Sequence, residues 1–259
     1  MKTKINIFIV FLILCFVLFS CRKEPSSLIE VPKQDETSLE SYSDEQIYLK
    51  IVEQLLKSKY YFVEMNGTTT AKKGIIPYKQ ITNTKLYAND TIFFNEVVSN
   101  SSLVNHKHQV YVDKDKVSYF DSSNDGIIKT TKSRYIDKYG KVPSHQNVLN
   151  YVVSQQSILK LYRETTENGY TLTFQLDPSS STIDLKKQMI EFGGLNKEPV
   201  FEEVYLIVNI DKRFGLLSFS CKEKYQISKS LIGTMNCVQE LHSIVHYDGY
   251  SEPNFNDFK

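Results

Sequence analysis

The sequence predicts an α+β fold, in which a curved antiparallel β-sheet, open like a half-barrel, is covered by an N-terminal helix and short inserted helices. Three long strand-like segments follow one another at 200–210, 214–227 and 232–247, as in an antiparallel meander. A helix precedes the strands, and the shorter helical segments do not alternate with them, which favours α+β over a sandwich or a parallel sheet. We therefore assign residues 43–259 to a single domain.

The first helix is predicted over residues 43–59. Ser43 and Gln46 fit a capping box, because the serine hydroxyl can accept a hydrogen bond from the backbone N–H of Gln46. Apolar residues then recur at intervals of three and four, the spacing of an amphipathic helix, at Ile47, Ile51, Val52, Leu55 and Leu56. Further short helices are predicted at 133–139, 148–154 and 181–192.

Shorter strands occupy most of the chain between these helices. Neighbouring strands separated by turn-forming residues predict hairpins, and the strongest turn signal is Asn168-Gly169. The predicted pairs are 75–87 with 91–98, 109–112 with 116–120 across the turn 113–115, and 159–165 with 170–176, with a further strand at 127–131.

The N-terminus has the organisation of a secretory signal. Two lysines precede residues 5–19, about fifteen residues that are apolar apart from Asn6, and Ser20-Cys21 follow directly. A spanning helix needs about twenty apolar residues, so cleavage after residue 20 is preferred over an uncleaved anchor. A buried core helix is disfavoured, because the segment has no polar face.

The residues Leu18-Phe19-Ser20-Cys21 resemble a bacterial lipoprotein lipobox. The resemblance implies cleavage before Cys21, acylation of its thiol and amine, and a membrane-anchored protein that faces outside the cytoplasm. Two or more acyl chains make such anchoring durable, whereas one chain binds only marginally. Residues 21–42 are then a flexible tether, because they contain Pro25 and Pro32 and little apolar periodicity.

The charge balance argues against nucleic acid as a partner. Without residues 1–20 the chain has 29 basic and 30 acidic side chains, and no block of like charges occurs. A general nucleic-acid binder usually has a basic excess or a basic stripe. We expect neither a nucleic-acid partner nor a cofactor.

Two cysteines, Cys221 and Cys237, remain in the domain. They are equidistant from Lys229, the centre of a predicted turn, which would place them opposite each other on neighbouring strands. An even pair outside the cytoplasm is compatible with a disulfide. Two buried thiols are the alternative. Metal binding by the pair is not expected, because no His or third Cys lies at ligand spacing.

Two other segments are weak candidates for a metal site. Residues 121–126 begin like a calcium loop, but position 12 is Lys132 instead of Glu, so a hairpin turn is the preferred interpretation. His106 and His108 would share one strand face about 7 Å apart, with no acidic partner close in the sequence. We therefore assign no metal ligand.

Catalytic residues cannot be assigned either. The sequence has no nucleophile elbow, no H-E-x-x-H pair and no glycine-rich phosphate loop. Adjacent acids such as Glu202 and Glu203 point to opposite faces of a strand, so they cannot act together as a glycosidase pair. We expect a protein that is not an enzyme.

Several short signatures resemble a set of uncharacterised lipoproteins from low-GC Gram-positive bacteria. They are Ile76-Pro77-Tyr78, Tyr139-Gly140 with Pro143, Leu176-Asp177-Pro178, Met189 with Gly193-Gly194-Leu195, and Pro199 with Phe201. The order of helix, long meander and inserted helices is also similar to the LolA/LppX class of lipoprotein carriers. That resemblance implies an open half-barrel whose inner face holds lipid under short helices, and it assigns no ligand residue.

Two hypotheses follow for the function. In the first, a lipid-anchored extracytoplasmic protein binds or carries a hydrophobic or amphiphilic ligand at the cell envelope. In the second, the protein is a structural or protein-interaction module of the envelope with a filled core and no ligand. The inner face of the sheet distinguishes them, because it must be covered either by a ligand or entirely by the protein's own side chains.

Overall fold

The computed structural model describes residues 39–259 apart from 74–75, 102–104, 123–124, 146–147, 150, 194 and 230–232. Its helices are α1 (Asp44–Lys57), α2 (Lys132–Tyr139), α3 (Pro178–Ser181) and α4 (Ile183–Gly193), and a 3-10 turn at Leu39–Ser41 precedes α1. Its strands are β1 (Tyr60–Lys73), β2 (Ile76–Asn89), β3 (Ile92–Ser101), β4 (Asn105–Asp113), β5 (Lys116–Asp121), β6 (Ile127–Thr131), β7 (Ile158–Thr165), β8 (Gly169–Leu176), β9 (Val200–Asp211), β10 (Leu216–Lys229) and β11 (Gly233–His246).

These strands form one open antiparallel sheet, with the spatial order β6-β5-β4-β3-β2-β1-β11-β10-β9-β8-β7. Strands β1 to β6 form one meander and β7 to β11 form another, and the pairing of β1 with β11 joins the two. The sheet is curved and unclosed, since β6 and β7 are its two edges. The predicted fold class is therefore confirmed.

Helix α1 has the predicted capping box. The backbone N–H of Gln46 donates to Ser43 Oγ at 3.3 Å, and the backbone N–H of Ser43 donates to Gln46 Oε1 at 2.8 Å. Of the predicted apolar pattern the helix buries Ile47, Ile51, Val52 and Leu55, and it exposes Leu56. Most of the predicted pattern therefore covers the sheet.

The turn after Asn168 depends on glycine for steric reasons. A Cβ on Gly169 would lie 1.9 Å from the carbonyl oxygen of Ile210 on the neighbouring strand, which no side chain can tolerate. The turn between β4 and β5 instead contains Lys114 with a positive φ of 51°. Both turns lie where the sequence predicts them.

The predicted helix at 148–154 is wrong for the residues that the structure describes, which form turns and bends. Serine side chains account for the difference. The backbone N–H of Ser154 donates to Ser157 Oγ at 2.8 Å, and that hydroxyl donates to the carbonyl of Val152 at 2.8 Å. These local hydrogen bonds offer the backbone an alternative to the helix.

The predicted helix at 181–192 is interrupted, because α3 and α4 form in its place. Asp177 caps α3 by accepting a hydrogen bond from the backbone N–H of Ser180 at 2.9 Å, and Pro178 occupies the first turn. Thr182 then leaves the helical conformation, with φ −108° and ψ 14°.

The predicted register of the β10–β11 hairpin is wrong by four residues. Cys221 pairs with Leu241, and Cys237 pairs with Tyr225. The chain closes the hairpin between Lys229 and Gly233, where Gly233 has φ +82°, so the centre of symmetry lies beyond Lys229. Both thiols are buried and free.

We call the face of the sheet that the helices cover the inner face, and the opposite face the outer face. Helices α1, α2 and α4 pack on the inner face, and their buried side chains form one apolar cluster with those of the strands. The helices lie mainly over the two lateral parts of the sheet. Helix α2 contacts β5 and β6, α1 contacts β7 and β10, and α3 contacts β9.

An aromatic row crosses the outer face. Its members are consecutive cross-strand neighbours on β1, β2, β3 and β4, namely Phe62, Tyr87, Phe94 and Tyr111. Phe255 and Phe258, near the end of the chain, pack against this row and are buried there. The last residues therefore cover an apolar patch on a face that is otherwise largely polar.

The predicted secretory signal, Cys21 and most of the predicted tether lie outside the described residues. The last part of the tether is packed against the domain, since Leu39 is buried. The guanidinium of Arg163 on β7 donates to the carbonyl oxygens of Leu39 and Tyr42 at 3.0 and 3.2 Å. No helix within the described part of the chain is long and apolar enough to cross a membrane.

Candidate functional site

A continuous belt of buried polar side chains crosses the inner face of the sheet. Seven neighbouring strands, from β10 to β5, contribute to it, and every member is more than nine-tenths buried. In spatial order this polar belt consists of Glu223, Gln239, Thr69, Gln80, Thr82, Ser99, His106 and Asp121. Burying a polar group without a partner is unfavourable, so the hydrogen bonds of the belt matter.

The middle of the polar belt is satisfied by hydrogen bonds between neutral side chains. Thr69 Oγ1 donates to Gln239 Oε1 at 2.9 Å. Gln80 Nε2 donates to Thr82 Oγ1 at 3.3 Å, and the hydroxyls of Thr82 and Ser99 lie 3.1 Å apart. Hydroxyls and amides can both donate and accept, so this part of the belt can bind polar groups of either kind.

One end of the polar belt is the carboxyl group of Glu223. The hydroxyl of Tyr151 donates a hydrogen bond to Glu223 Oε1. Burial raises the pKa of Glu223 to about 7, and the hydrogen bond from Tyr151 opposes this shift. Burial also raises the pKa of Cys221 and of Tyr225, so these two neighbours carry no charge near neutral pH.

The other end of the polar belt is Asp121, whose carboxylate lies within hydrogen-bond distance of two histidines. His106 Nε2 lies 3.1 Å and His108 Nδ1 lies 3.3 Å from Asp121 Oδ2. His108 Nε2 lies 3.3 Å from the hydroxyl of Tyr135 on α2. Burial lowers the pKa of both histidines, and the charge of Asp121 opposes this shift. His106 Nδ1 is buried with no hydrogen-bond partner among the described residues.

The two histidines lie as the sequence predicts, on one face of β4 with their ring centroids 6.5 Å apart. Their acidic partner, Asp121, was not predicted. The predicted turn at 113–115 would place Phe120 opposite His108, but the observed turn contains only Lys114 and Asp115, and this register pairs His108 with Asp121. Within the described residues, no group of three or more His, Cys, Asp and Glu side chains is arranged to hold a metal ion.

Glu223 was not predicted as a site residue either, because Cys221 was the only residue of its strand that the sequence singled out. Glu223 lies on the same face of β10 as Phe219, Cys221 and Tyr225, and all four are buried. A single acid on an otherwise apolar strand face is an available sequence signal for a buried charge. The two predicted thiols lie on this inner face too, beside the polar belt.

A short irregular segment, residues 151–157, lies over the Glu223 end of the polar belt, and we call it the strap. Tyr151 contacts Glu223 from the strap. The backbone N–H of Val152 donates to the carbonyl of Ser181 at 3.0 Å, and the N–H of Asp177 donates to the carbonyl of Ser157 at 2.7 Å. The strap is thus attached to α3 and to the sheet by hydrogen bonds, and its residues Tyr151 and Val153 are buried in the apolar cluster of the inner face.

Comparison with known proteins gives weak structural similarity and no sequence match. No family model and no curated protein matches this sequence. A LolA superfamily protein from Nitrosomonas europaea is similar over 82% of this chain and 96% of its own, with 9% identity and a TM-score of 0.31. A DUF1329 family protein from Desulfovibrio piger is similar over 79% of this chain and 93% of its own, with 14% identity and a TM-score of 0.29. Similarity at this level does not bear on function, which we argue from the site.

Proposed function

We propose that this protein is a lipid-anchored, non-enzymatic binder or carrier of an amphiphilic ligand at the cell envelope, and that the ligand lies on the inner face of the sheet. The polar belt carries this proposal. Apolar side chains flank the belt on both sides, with Val63 and Leu86 toward one end of the strands and Met235 and Ile227 toward the other. A surface with this division matches a molecule that has both polar and apolar parts.

Stability alone gives little reason for the polar belt. A satisfied hydrogen bond contributes about 1 kcal/mol to stability, whereas complete burial of an apolar side chain contributes about 1.5 to 3 kcal/mol. A core that served only folding would therefore gain from apolar residues at these positions. Ionisable groups with strongly shifted pKa values, such as Glu223, are also typical of functional sites.

The location rests on the N-terminal sequence. The apolar segment 5–19 and the lipobox-like Leu18-Phe19-Ser20-Cys21 support export and acylation of Cys21. The tether of residues 21–42 would then hold the domain close to the membrane, where amphiphiles are concentrated. Ligand entry at the Glu223 end requires the strap to move, because Tyr151 covers that carboxyl group.

A second candidate is a structural or protein-interaction module without a ligand. It is favoured by the direct packing of α1, α2 and α4 on the inner face, which joins them to the sheet in one apolar cluster. The two candidates differ in whether a molecule is retained on that face.

Retention of a ligand can be tested with one inner-face variant and a matched outer-face variant. We expect native mass spectrometry of the full-length protein, purified from its host in a mild detergent, to detect a bound amphiphile. Thr82→Val removes one belt hydroxyl that contacts Gln80 and Ser99, so we expect binding about fivefold weaker, the effect of one lost hydrogen bond. Thr70→Val is the control, because Thr70 is exposed on the outer face.

Two results would contradict the ligand hypothesis. A wild-type protein that carries no amphiphile, and takes up none from lipids of its host, would favour the module without a ligand. Equal loss of binding in Thr82→Val and Thr70→Val would place the binding away from the polar belt.

Lipidation is tested separately. We expect labelled palmitate to enter the wild-type protein, and Cys21→Ala to abolish the label and to release the protein from the membrane fraction. Cys221→Ala should keep the label, because its thiol is buried in the domain. Equal labelling of the wild type and Cys21→Ala would exclude this anchor.

A further inference from the structure

The charges of the inner face restrict the kind of amphiphile that it can hold, and this inference rests on the proposed function. Among the side chains that the structure describes on the inner face of β1–β5 and β9–β11, the carboxyl groups are Asp121 and Glu223, and no lysine or arginine occurs. The lysines of these strands with described side chains point outward, for example Lys85, Lys107, Lys222 and Lys224. The described side chains of these strands thus make the inner face acidic and place their lysines on the outer face.

An anionic head group would be repelled by such a face. Charges interact strongly at short range in a buried site, because the protein interior screens them far less than water does. A phosphate or carboxylate head on the polar belt would lie near Glu223 or Asp121, and the described inner-face side chains of these strands offer no lysine or arginine to balance it. An ammonium head would instead gain a partner.

Glu223 is the better candidate of the two carboxyl groups for binding such a head. Asp121 already lies within hydrogen-bond distance of His106 and His108. The hydrogen bond that Glu223 accepts comes from the neutral hydroxyl of Tyr151. A charged partner strongly stabilises a buried carboxylate, and the described groups beside Glu223 include the neutral phenols of Tyr151 and Tyr225 and the thiol of Cys221.

We propose that Glu223 binds the head group of the ligand, and that this head is a cationic amine instead of a phosphate or a carboxylate. An ammonium has three donors, so it can bind Glu223 while it also donates to a neutral oxygen of the neighbouring belt. Displacement of the Tyr151 hydroxyl by the ammonium would release the strap from this carboxyl group. The apolar chain of the ligand would lie along the apolar rows that flank the belt.

The inference is tested with two probes that have the same alkyl chain and opposite charge, dodecylamine and dodecyl phosphate. We measure their dissociation constants by equilibrium dialysis at neutral pH, with the full-length protein kept in a non-ionic amphipathic polymer. We expect wild type to bind dodecylamine about tenfold more tightly or better, the ratio that one hydrogen bond to a charged group provides. In Glu223→Gln the two constants should come within about threefold of each other, because the amide carries no charge.

The matched control is Glu240→Gln, the same substitution on the outer face of β11, where Glu240 pairs with Lys222 at 2.7 Å. It should keep the wild-type preference. If both probes bind wild type equally, or if Glu223→Gln keeps the preference, the charge inference is overturned while ligand binding stands. If the inner face binds neither probe, so that Thr82→Val and Thr70→Val behave alike, the inference and the proposed function both fail.

Discussion

Ile51→Ala is expected to destabilise the protein by about 2 to 5 kcal/mol, the range observed when a buried isoleucine or leucine is truncated in a core. Ile51 is fully buried, and it lies in the stripe by which α1 covers the inner face. Truncation removes apolar contacts and leaves a cavity that a sheet of long, mutually paired strands cannot easily close. Equilibrium unfolding of the full-length protein in urea measures the effect.

The control for this prediction lies on the same helix. Leu49 is 54% exposed, so Leu49→Ala should change the free energy of unfolding by no more than about 0.5 kcal/mol. Similar losses in both variants would show that α1 is not packed on the sheet as described. A large loss in Ile51→Ala alone would support an inner face that depends on α1 for its cover.

The second large effect concerns Glu223→Gln and its dependence on pH. Burial raises the pKa of Glu223 from 4.5 to about 7, so between these two values the folded protein binds more protons than the unfolded chain. Stability therefore falls as pH rises through this window. We expect wild type to lose up to about 3 kcal/mol relative to Glu223→Gln between about pH 4.5 and pH 8.

Urea unfolding of both proteins across this pH range measures the difference. The lowered pKa values of His106 and His108 act in the opposite sense, because they reduce stability as the pH falls, but they are common to both proteins and cancel. In the control Glu240→Gln the sign is reversed, since the hydrogen bond from Lys222 lowers the pKa of Glu240. Parallel pH profiles for wild type and Glu223→Gln would contradict a buried, ionisable Glu223.

The variant Glu223→Gln also bears on the choice between the two candidate functions. A module without a ligand has no use for a buried carboxyl group that destabilises it at neutral pH. If Glu223→Gln is more stable at pH 8 and loses its preference for an amine head, the same carboxyl group lowers stability and provides ligand binding. If it is more stable with no effect on any ligand, Glu223 has no role that we can assign.

Much of the fold was predictable because it depends on local sequence. The capping box of Ser43 and Gln46 and the spacing of Ile47, Ile51 and Leu55 define α1, and the structure has both. Alternating apolar residues and turn signals located the strands, including the turn at Gly169 that no side chain could occupy. The helix predicted at 148–154 failed because serine hydroxyls competed for the backbone, which periodicity does not detect.

The polar belt was less predictable, because it depends on register. A strand segment shows which residues share a face, but it does not show which residue of the next strand lies opposite. The β10–β11 hairpin illustrates this, since Cys221 lies opposite Leu241, four residues from the predicted partner Cys237. The pairing of His108 with Asp121 differs from the predicted one by a single residue, because the turn contains two residues, Lys114 and Asp115, instead of three.

The amino-acid sequence by itself determined the order of helices and strands, the single antiparallel sheet, and the secretory and lipobox patterns at the N-terminus. Only the tertiary structure decided that Glu223 and Thr69, more than a hundred residues apart in the chain, belong to the same polar belt. The physical reason is that β1 and β11, the first and last strands in the sequence, are hydrogen-bonded neighbours in the sheet. The register of their pairing determines which buried side chains lie next to each other.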